Sequence, residues 1–164
     1  MLRWLLLVLV ASGIAIALYH LLKSPPAFDL EGFDSKVDRL RAGSVIARKV
    51  ADTDAVPDWL EADAEHITAV RRILEAHDGD CQVTVEALEQ QLEQHRQRLQ
   101  EFPDRMTLES LQALPPARRQ RLGQQIIYVL APVYTDLRPV VEQWAWQCKE
   151  ESVVLDEIFG NVRL

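Results

Sequence analysis

The sequence predicts an all-α protein, in which an N-terminal single transmembrane helix precedes an antiparallel helical bundle with one long kinked helix. Residues 4–22 carry no formally charged side chain. Beyond them, apolar residues recur at spacings of three and four, and no useful stretch alternates with the period of two that is typical of strands. We therefore divide the chain into a transmembrane signal anchor (1–23), a Pro-containing linker (24–33) and a soluble acidic helical domain (34–164).

The N-terminal segment has the length and the flanking residues of a membrane-spanning helix. The 19 residues between Arg3 and Lys23 span about 28 Å as a helix, close to the ~30 Å apolar core of a bilayer. Ala15 to Ala17 also offers a signal-peptide cleavage site, but the apolar run continues past it. Small residues at four-residue spacing permit close helix packing within a membrane, and the segment has two such pairs: Ala11 with Ala15, and Gly13 with Ala17.

The charges around this segment leave its orientation open. Lys23, Lys36, Arg39 and Arg41 follow it and only Arg3 precedes it, which by the excess of basic residues favours a cytoplasmic C-terminal side. A short basic N-terminus is nevertheless typical of a signal anchor, and long domains are translocated largely regardless of charge. We expect a bacterial inner-membrane protein with its N-terminus inside and its C-terminal domain in the periplasm.

The charge of the chain beyond the anchor limits its partners. Subtracting Arg3 and Lys23 from the 18 basic residues leaves 16 against 25 acidic ones, a net charge of −9. Nucleic acid and anionic lipid headgroups both require a positive surface, so neither is an expected partner. The charge fits a domain held away from the membrane, or one that docks on a basic protein surface.

Five helical stretches are predicted in the domain. They run from Asp34 to about Ala51, from Pro57 to His77, from a cap at Thr84 to Phe102, from Thr107 to Leu114, and onward from Pro116. The third has an apolar seam typical of an antiparallel bundle or a coiled coil, formed by Val85, Leu88, Leu92, His95, Leu99 and Phe102. The last stretch has an apolar stripe formed by Leu122, Ile126, Val129, Val133, Leu137, Val140, Trp144 and Cys148. The stripe passes Pro132 and Pro139 without losing phase, which predicts one long helix kinked at Pro132, with Pro139 as a second candidate for a kink.

The two cysteines are far apart in sequence, which excludes a CxxC redox motif and a CxxC zinc knuckle. Cys81 precedes the third helix and Cys148 lies near the end of the long one. If these helices are antiparallel neighbours, both cysteines lie at the same end of the bundle, and a disulfide between them is predicted for an oxidising compartment. Two unrelated buried thiols are the alternative.

The histidines and the acidic residues do not predict a site. His77, Asp78, Asp80 and Cys81 are close in sequence, but Val83 occupies the position where a calcium loop needs glycine. The stretch from His77 to Cys81 is therefore interpreted as a histidine at a helix end followed by an Asp-Gly turn, and not as a metal site. His95 is interpreted as a hydrogen-bonded register residue in the seam, and His66 as an exposed helix residue.

Enzyme motifs are missing from the sequence: there is no G-x-S-x-G, H-E-x-x-H, P-loop or dinucleotide fingerprint. We expect no catalytic residue, no metal, no cofactor and no small-molecule substrate. The first functional hypothesis is a non-enzymatic accessory or assembly subunit, whose helical domain docks onto another membrane or envelope protein.

A second hypothesis is a periplasmic sensor or a chaperone-like protein that binds clients. Together with the anchor and the linker, the stretch Leu114 to Leu122, LPPARRQRL, resembles the layout of small periplasmic helical-hairpin proteins of the stress-chaperone and heavy-metal-sensor type. The histidine pattern expected of such metal sensors is absent, and no residue role is transferred from the resemblance.

Overall fold

A computed structural model describes residues 25–47, 56–103 and 108–159. This part of the chain is all-α and contains no strand, as predicted. Its elements are α1 (Leu30–Ala47), α2 (Asp58–Glu75), α3 (Cys81–Leu99), α4 (Leu108–Ala113), α5 (Pro116–Gln147), a 3-10 turn (Glu151–Val153) and α6 (Val154–Phe159). None of the helices within the described ranges combines the length and the apolar character needed to cross a membrane. The predicted anchor, with Ala11, Gly13, Ala15 and Ala17, lies outside those ranges.

Two helices begin earlier than the sequence predicts, because of capping aspartates. The side chain of Asp29 accepts a hydrogen bond from the backbone N–H of Gly32 at 2.9 Å, and α1 starts at Leu30 rather than Asp34. The end of the predicted linker is therefore part of the folded domain. Asp80 caps α3 by accepting a hydrogen bond from Val83 N–H at 3.2 Å. The prediction that Thr84 caps this helix is wrong, since Thr84 is buried within its first turns.

Helix α5 is central, with α1 packed on one side and α2 on another. Arg138 forms ion pairs with Asp34 and Asp38 of α1, at 2.7 and 2.9 Å. Further along α1, Gly43 approaches Ile127 so closely that a Cβ atom there would lie 3.0 Å from its side chain. Because residue numbers rise along α1 as they fall along α5, these two helices are antiparallel.

Helix α2 lies between α5 and α3 and packs against both. It runs parallel to α5, because Arg71 pairs with Asp136 and the ring of His77 meets that of Trp144. It runs antiparallel to α3, because its early residues face the end of that helix. Among these contacts is the ion pair between Glu65 and Arg98.

Helix α5 continues without interruption through Pro132 and Pro139, as the phase of its apolar stripe predicts. Its buried face is wider than that stripe. The most deeply buried positions of α5 include several that the predicted stripe leaves out, namely Leu130, Ala131, Tyr134, Val141 and Ala145. A helix contacted from two sides buries more than the single stripe expected of a helix at the edge of a bundle.

The two ends of the described chain meet beside the end of α5. Ala27 N–H donates to the carbonyl of Lys149 at 2.9 Å, and Phe28 N–H donates to Ser152 Oγ at 3.1 Å. The ring of Phe28 then contacts that of Phe159 in α6, with centroids 6.0 Å apart. The segment that enters the domain is thus fixed to its C-terminal corner.

Candidate functional site

Cys81 and Cys148 form a disulfide, as predicted. Their Cα atoms are 5.6 Å apart, and the bond joins positions separated by 67 residues. Cys81 is the first residue of α3, and Cys148 follows the last residue of α5. These two helices share a bundle end because each packs against α2, rather than through a long interface with one another.

His77 lies against this disulfide, in an orientation fixed by Thr84. The hydroxyl of Thr84 donates its hydrogen to the carbonyl of Asp80 at 3.0 Å, since a carbonyl can only accept. Thr84 Oγ1 is also 2.8 Å from Nδ1 of His77. With the hydroxyl hydrogen on the Asp80 carbonyl, this contact assigns the proton of the neutral ring to Nδ1, which donates it to Thr84. Nε2 then presents its lone pair to Sγ of Cys148, 3.6 Å away.

A surface cleft of about 570 Å³ opens beside these residues. Its walls include Cys81, His77, Gly79 and Trp144. The two sulfurs differ in access, because Cys148 is only 1% exposed whereas Cys81 is half-buried and lines the cleft.

The donor atoms of His77, Cys81 and Cys148 lie within 4.8 Å of one another. The sequence predicts no metal site here, because Val83 occupies the position where a calcium loop needs glycine. The fold brings Cys148 to His77 and Cys81 as a third potential ligand. Metal ligation requires thiolates, and in the disulfide form both sulfurs are bonded to each other. The prediction that the protein binds no metal stays a prediction.

A second polar cluster lies in the core between α2, α3 and α5. The rings of His66 and His95 stack with centroids 4.0 Å apart and an interplanar angle of 4°. His95 Nε2 is 3.1 Å from a carboxylate oxygen of Asp63, and His66 Nδ1 is 3.4 Å from the side-chain nitrogen of Gln91. The interpretation of His66 as an exposed residue is wrong, because only 5% of it is exposed.

The cluster borders a cavity of about 190 Å³. His66 Nε2 and the hydroxyl of Tyr134 are both buried without a hydrogen-bond partner, and both residues line this cavity. The pKa of His66 is lowered to about 4, first by burial and second by the nearby charge of His95, while the charge of Asp63 opposes the shift. Burial also raises the pKa of Tyr134 above its ordinary range, with the negative charge of Asp63 as the second cause.

The six residues predicted to form the apolar seam of α3 are not equally buried. Leu88 and Leu92 are buried, whereas Val85, His95, Leu99 and Phe102 are half-buried. The sequence did contain a signal for His66, since this residue precedes the buried Val70 by four positions and so shares its helix face. Nothing in the sequence pairs His77 with Cys148 or His66 with Tyr134, because these contacts are between helices.

Comparison of the chain with protein-family models, curated proteins and solved structures finds no match. The disulfide corner can support thiol chemistry, and the buried histidine cluster can support a response to pH.

Proposed function

We propose that this protein is a non-enzymatic, membrane-anchored accessory or assembly subunit of a bacterial cell-envelope complex. The apolar segment at 1–23 anchors it in the inner membrane, and its helical domain lies in the periplasm and docks on another envelope protein. The observation that carries the proposal is the disulfide between Cys81 and Cys148. Disulfides persist in oxidising compartments such as the periplasm and are rare in the cytosol.

The short connection to the anchor supports docking close to the membrane. Four peptide units separate Lys23 from Ala27, and at ~3.8 Å between consecutive Cα atoms they reach at most about 15 Å. Ala27 is hydrogen-bonded to Lys149, next to Cys148. The disulfide corner would therefore be held near the membrane surface, which favours docking on a neighbouring membrane protein over a domain held far from the bilayer.

Topology is the direct test of this placement. We expect alkaline phosphatase fused after Leu164 to be active in cells, and green fluorescent protein exported by the same route to be dark. When intact cells are quenched with acid and then treated with an alkylating agent, Cys81 and Cys148 should be alkylated only if the sample is first reduced. The reverse fusion pattern, or two free thiols in untreated cells, would contradict the proposal.

The docking surface can be tested by purification in mild detergent followed by mass spectrometry. Val83 and Val153 are 58% and 56% exposed, and they lie on two contacting elements at the disulfide corner. We expect Val83→Asp and Val153→Asp to reduce recovery of a fixed-stoichiometry membrane partner. Val45→Asp is the matched control, since Val45 is 73% exposed near the far end of α1. Equal recovery with all three variants would argue against docking at this corner.

A second candidate function, a periplasmic sensor, is favoured by the stacked rings of His66 and His95. Burial keeps His66 neutral inside the helical bundle, and such a histidine is suited to sensing pH because protonation places charge in a buried site. Binding of a hydrophobic dye by the folded domain near pH 5, and not at pH 7, would favour this function. Dye binding that does not change with pH, together with a constant membrane partner, would favour the accessory subunit.

A further inference from the structure

We propose that the Cys81–Cys148 disulfide is an exchange-active bond, reduced by the dithiol of a partner protein. A thiolate of that dithiol attacks Cys81, Cys148 departs, and His77 gives the departing sulfur its proton. This goes beyond the role of an accessory subunit and does not depend on where the domain lies.

Access selects Cys81 as the sulfur that is attacked. Thiol–disulfide exchange requires a thiolate to reach one sulfur along an open path. Cys81 lines the cleft of about 570 Å³, whereas Cys148 is 1% exposed and does not line it. Attack from solvent therefore forms a mixed disulfide on Cys81 and expels Cys148.

The two sulfurs lie at opposite kinds of helix end, and these ends differ in how well they stabilise a thiolate. Cys81 is the first residue of a 19-residue helix, where the positive end of the helix dipole stabilises a thiolate. Cys148 is the C-cap of a 32-residue helix, where the dipole has the opposite sign. A thiolate released at Cys148 is therefore buried and unfavourably placed, so its departure needs a proton source.

His77 is placed to be that source. Thr84 occupies its Nδ1–H, so a second proton can bind only at Nε2. That atom is 3.6 Å from the sulfur of Cys148. The protonated ring would thus direct both its positive charge and its mobile proton at the leaving group, in the manner of a general acid.

The reaction balances in two steps. First, the partner thiolate forms a bond with Cys81 Sγ as the Sγ–Sγ bond breaks, and the electron pair left on Cys148 takes the proton from His77. Next, the second thiolate of the partner attacks the partner sulfur of the mixed disulfide and releases Cys81 as a thiolate. The partner dithiol is oxidised to a disulfide, and the bond between α3 and the end of α5 is reduced to a thiol at Cys148 and a thiolate at Cys81. The two protons that the partner thiols lose on becoming thiolates go to solvent, and solvent returns one to His77 and one to Cys81.

The site of attack is tested on the full chain in detergent micelles, with reduced glutathione as the probe. After acid quenching and alkylation, peptide mapping should find glutathione on Cys81 and not on Cys148. The rate should increase in proportion to the glutathione thiolate concentration. Equal labelling of both cysteines, or a rate independent of glutathione, would mean that the bond is reduced only after unfolding and would overturn the proposal.

The role of His77 is tested by the rate of reduction with dithiothreitol at a fixed concentration of its thiolate. His77→Gln should be about 10²-fold slower than wild type and lose the solvent deuterium isotope effect of the proton transfer. Glu89→Gln, on the exposed face of α3, should behave as wild type. If His77→Gln fails to fold by circular dichroism, Thr84→Val removes the partner of Nδ1 and should also slow reduction. A wild-type rate with a wild-type isotope effect in folded His77→Gln would overturn the role of His77.

Discussion

Histidine shows most clearly how neighbours decide what a residue does in this protein. His66 is enclosed between helices and stacked on His95, which keeps its ring neutral because burial disfavours a charge. His77 is tied to Thr84 on one side and faces a sulfur on the other. The same type of side chain is therefore held neutral by burial in the core and placed against a disulfide sulfur just beyond the end of α2.

We expect His66 to make the stability of the domain depend on pH. Its folded-state pKa of about 4 lies below the ordinary value of 6.5, so as the pH falls the unfolded chain binds the proton first. The stability that comes from keeping His66 neutral is complete above pH 6.5 and is lost as the pH falls from 6.5 towards 4. At ~1.4 kcal/mol per pH unit, the loss is about 3 kcal/mol. Urea unfolding followed by circular dichroism at pH 7, 5.5 and 4.5 measures it.

The control for this prediction separates His66 from the carboxylates, which also titrate at low pH. His66→Gln should reduce the loss between pH 7 and 4.5. Thr68→Ala should retain it, because Thr68 is on the same helix and its hydroxyl only bonds the carbonyl of Ala64. An identical pH dependence in wild type and His66→Gln would contradict the assignment.

At the scale of elements, one serine of the 3-10 turn helps to hold the chain segment that precedes α1. Ser152 is fully buried, its Oγ accepts from Phe28 N–H, and its own hydrogen goes to the carbonyl of Lys149 at 2.7 Å. One hydroxyl thus ties the segment before α1 to the end of α5.

We expect Ser152→Ala to destabilise the domain by about 1–3 kcal/mol, because a buried N–H loses its acceptor. Amide exchange at Phe28, measured by mass spectrometry, should accelerate together with the loss in stability. Ser44→Ala is the matched control, since Ser44 only donates to the carbonyl of Arg41 on an exposed surface and should change stability by less than ~0.5 kcal/mol. Unchanged exchange at Phe28 in Ser152→Ala would show that other contacts hold the segment.

For the whole molecule, the disulfide is a covalent cross-link between the start of α3 and the end of α5. It closes a loop of 67 residues, for which the chain-entropy model gives about 4 kcal/mol, against a total stability of ~5–15 kcal/mol for a typical domain. Reduction therefore removes a large share of the stability without removing the apolar core.

We expect the purified protein to show no titratable thiol until it is reduced, and its melting temperature to fall on reduction. Cys148→Ser should lower the melting temperature by a similar amount, and adding a reductant to this variant should change nothing further. Differential scanning calorimetry with thiol titration measures both quantities. Reduction without any change in melting temperature would show that the bond does not constrain the unfolded chain.

The sequence by itself determined the periodic features of this protein. The apolar spacing predicted the all-α class and the continuous helix through Pro132 and Pro139, because a stripe keeps its phase only along one helix axis. The placement of Cys81 and Cys148 at opposite ends of two helices predicted their disulfide. Helix starts were missed at Asp29 and Asp80, because a cap depends on backbone geometry that several nearby polar residues could satisfy.

Only the tertiary structure decided which polar residues meet. The stack of His66 on His95, the unpaired hydroxyl of Tyr134 and the contact of His77 with Cys148 all join different helices. Periodicity states which face of a helix is apolar, but not which helix covers it or in which direction that helix runs. Because α2 lies parallel to α5 and antiparallel to α3, His77 and the disulfide lie at one bundle end. The same directions bring His66 of α2 and His95 of α3 together further from that end.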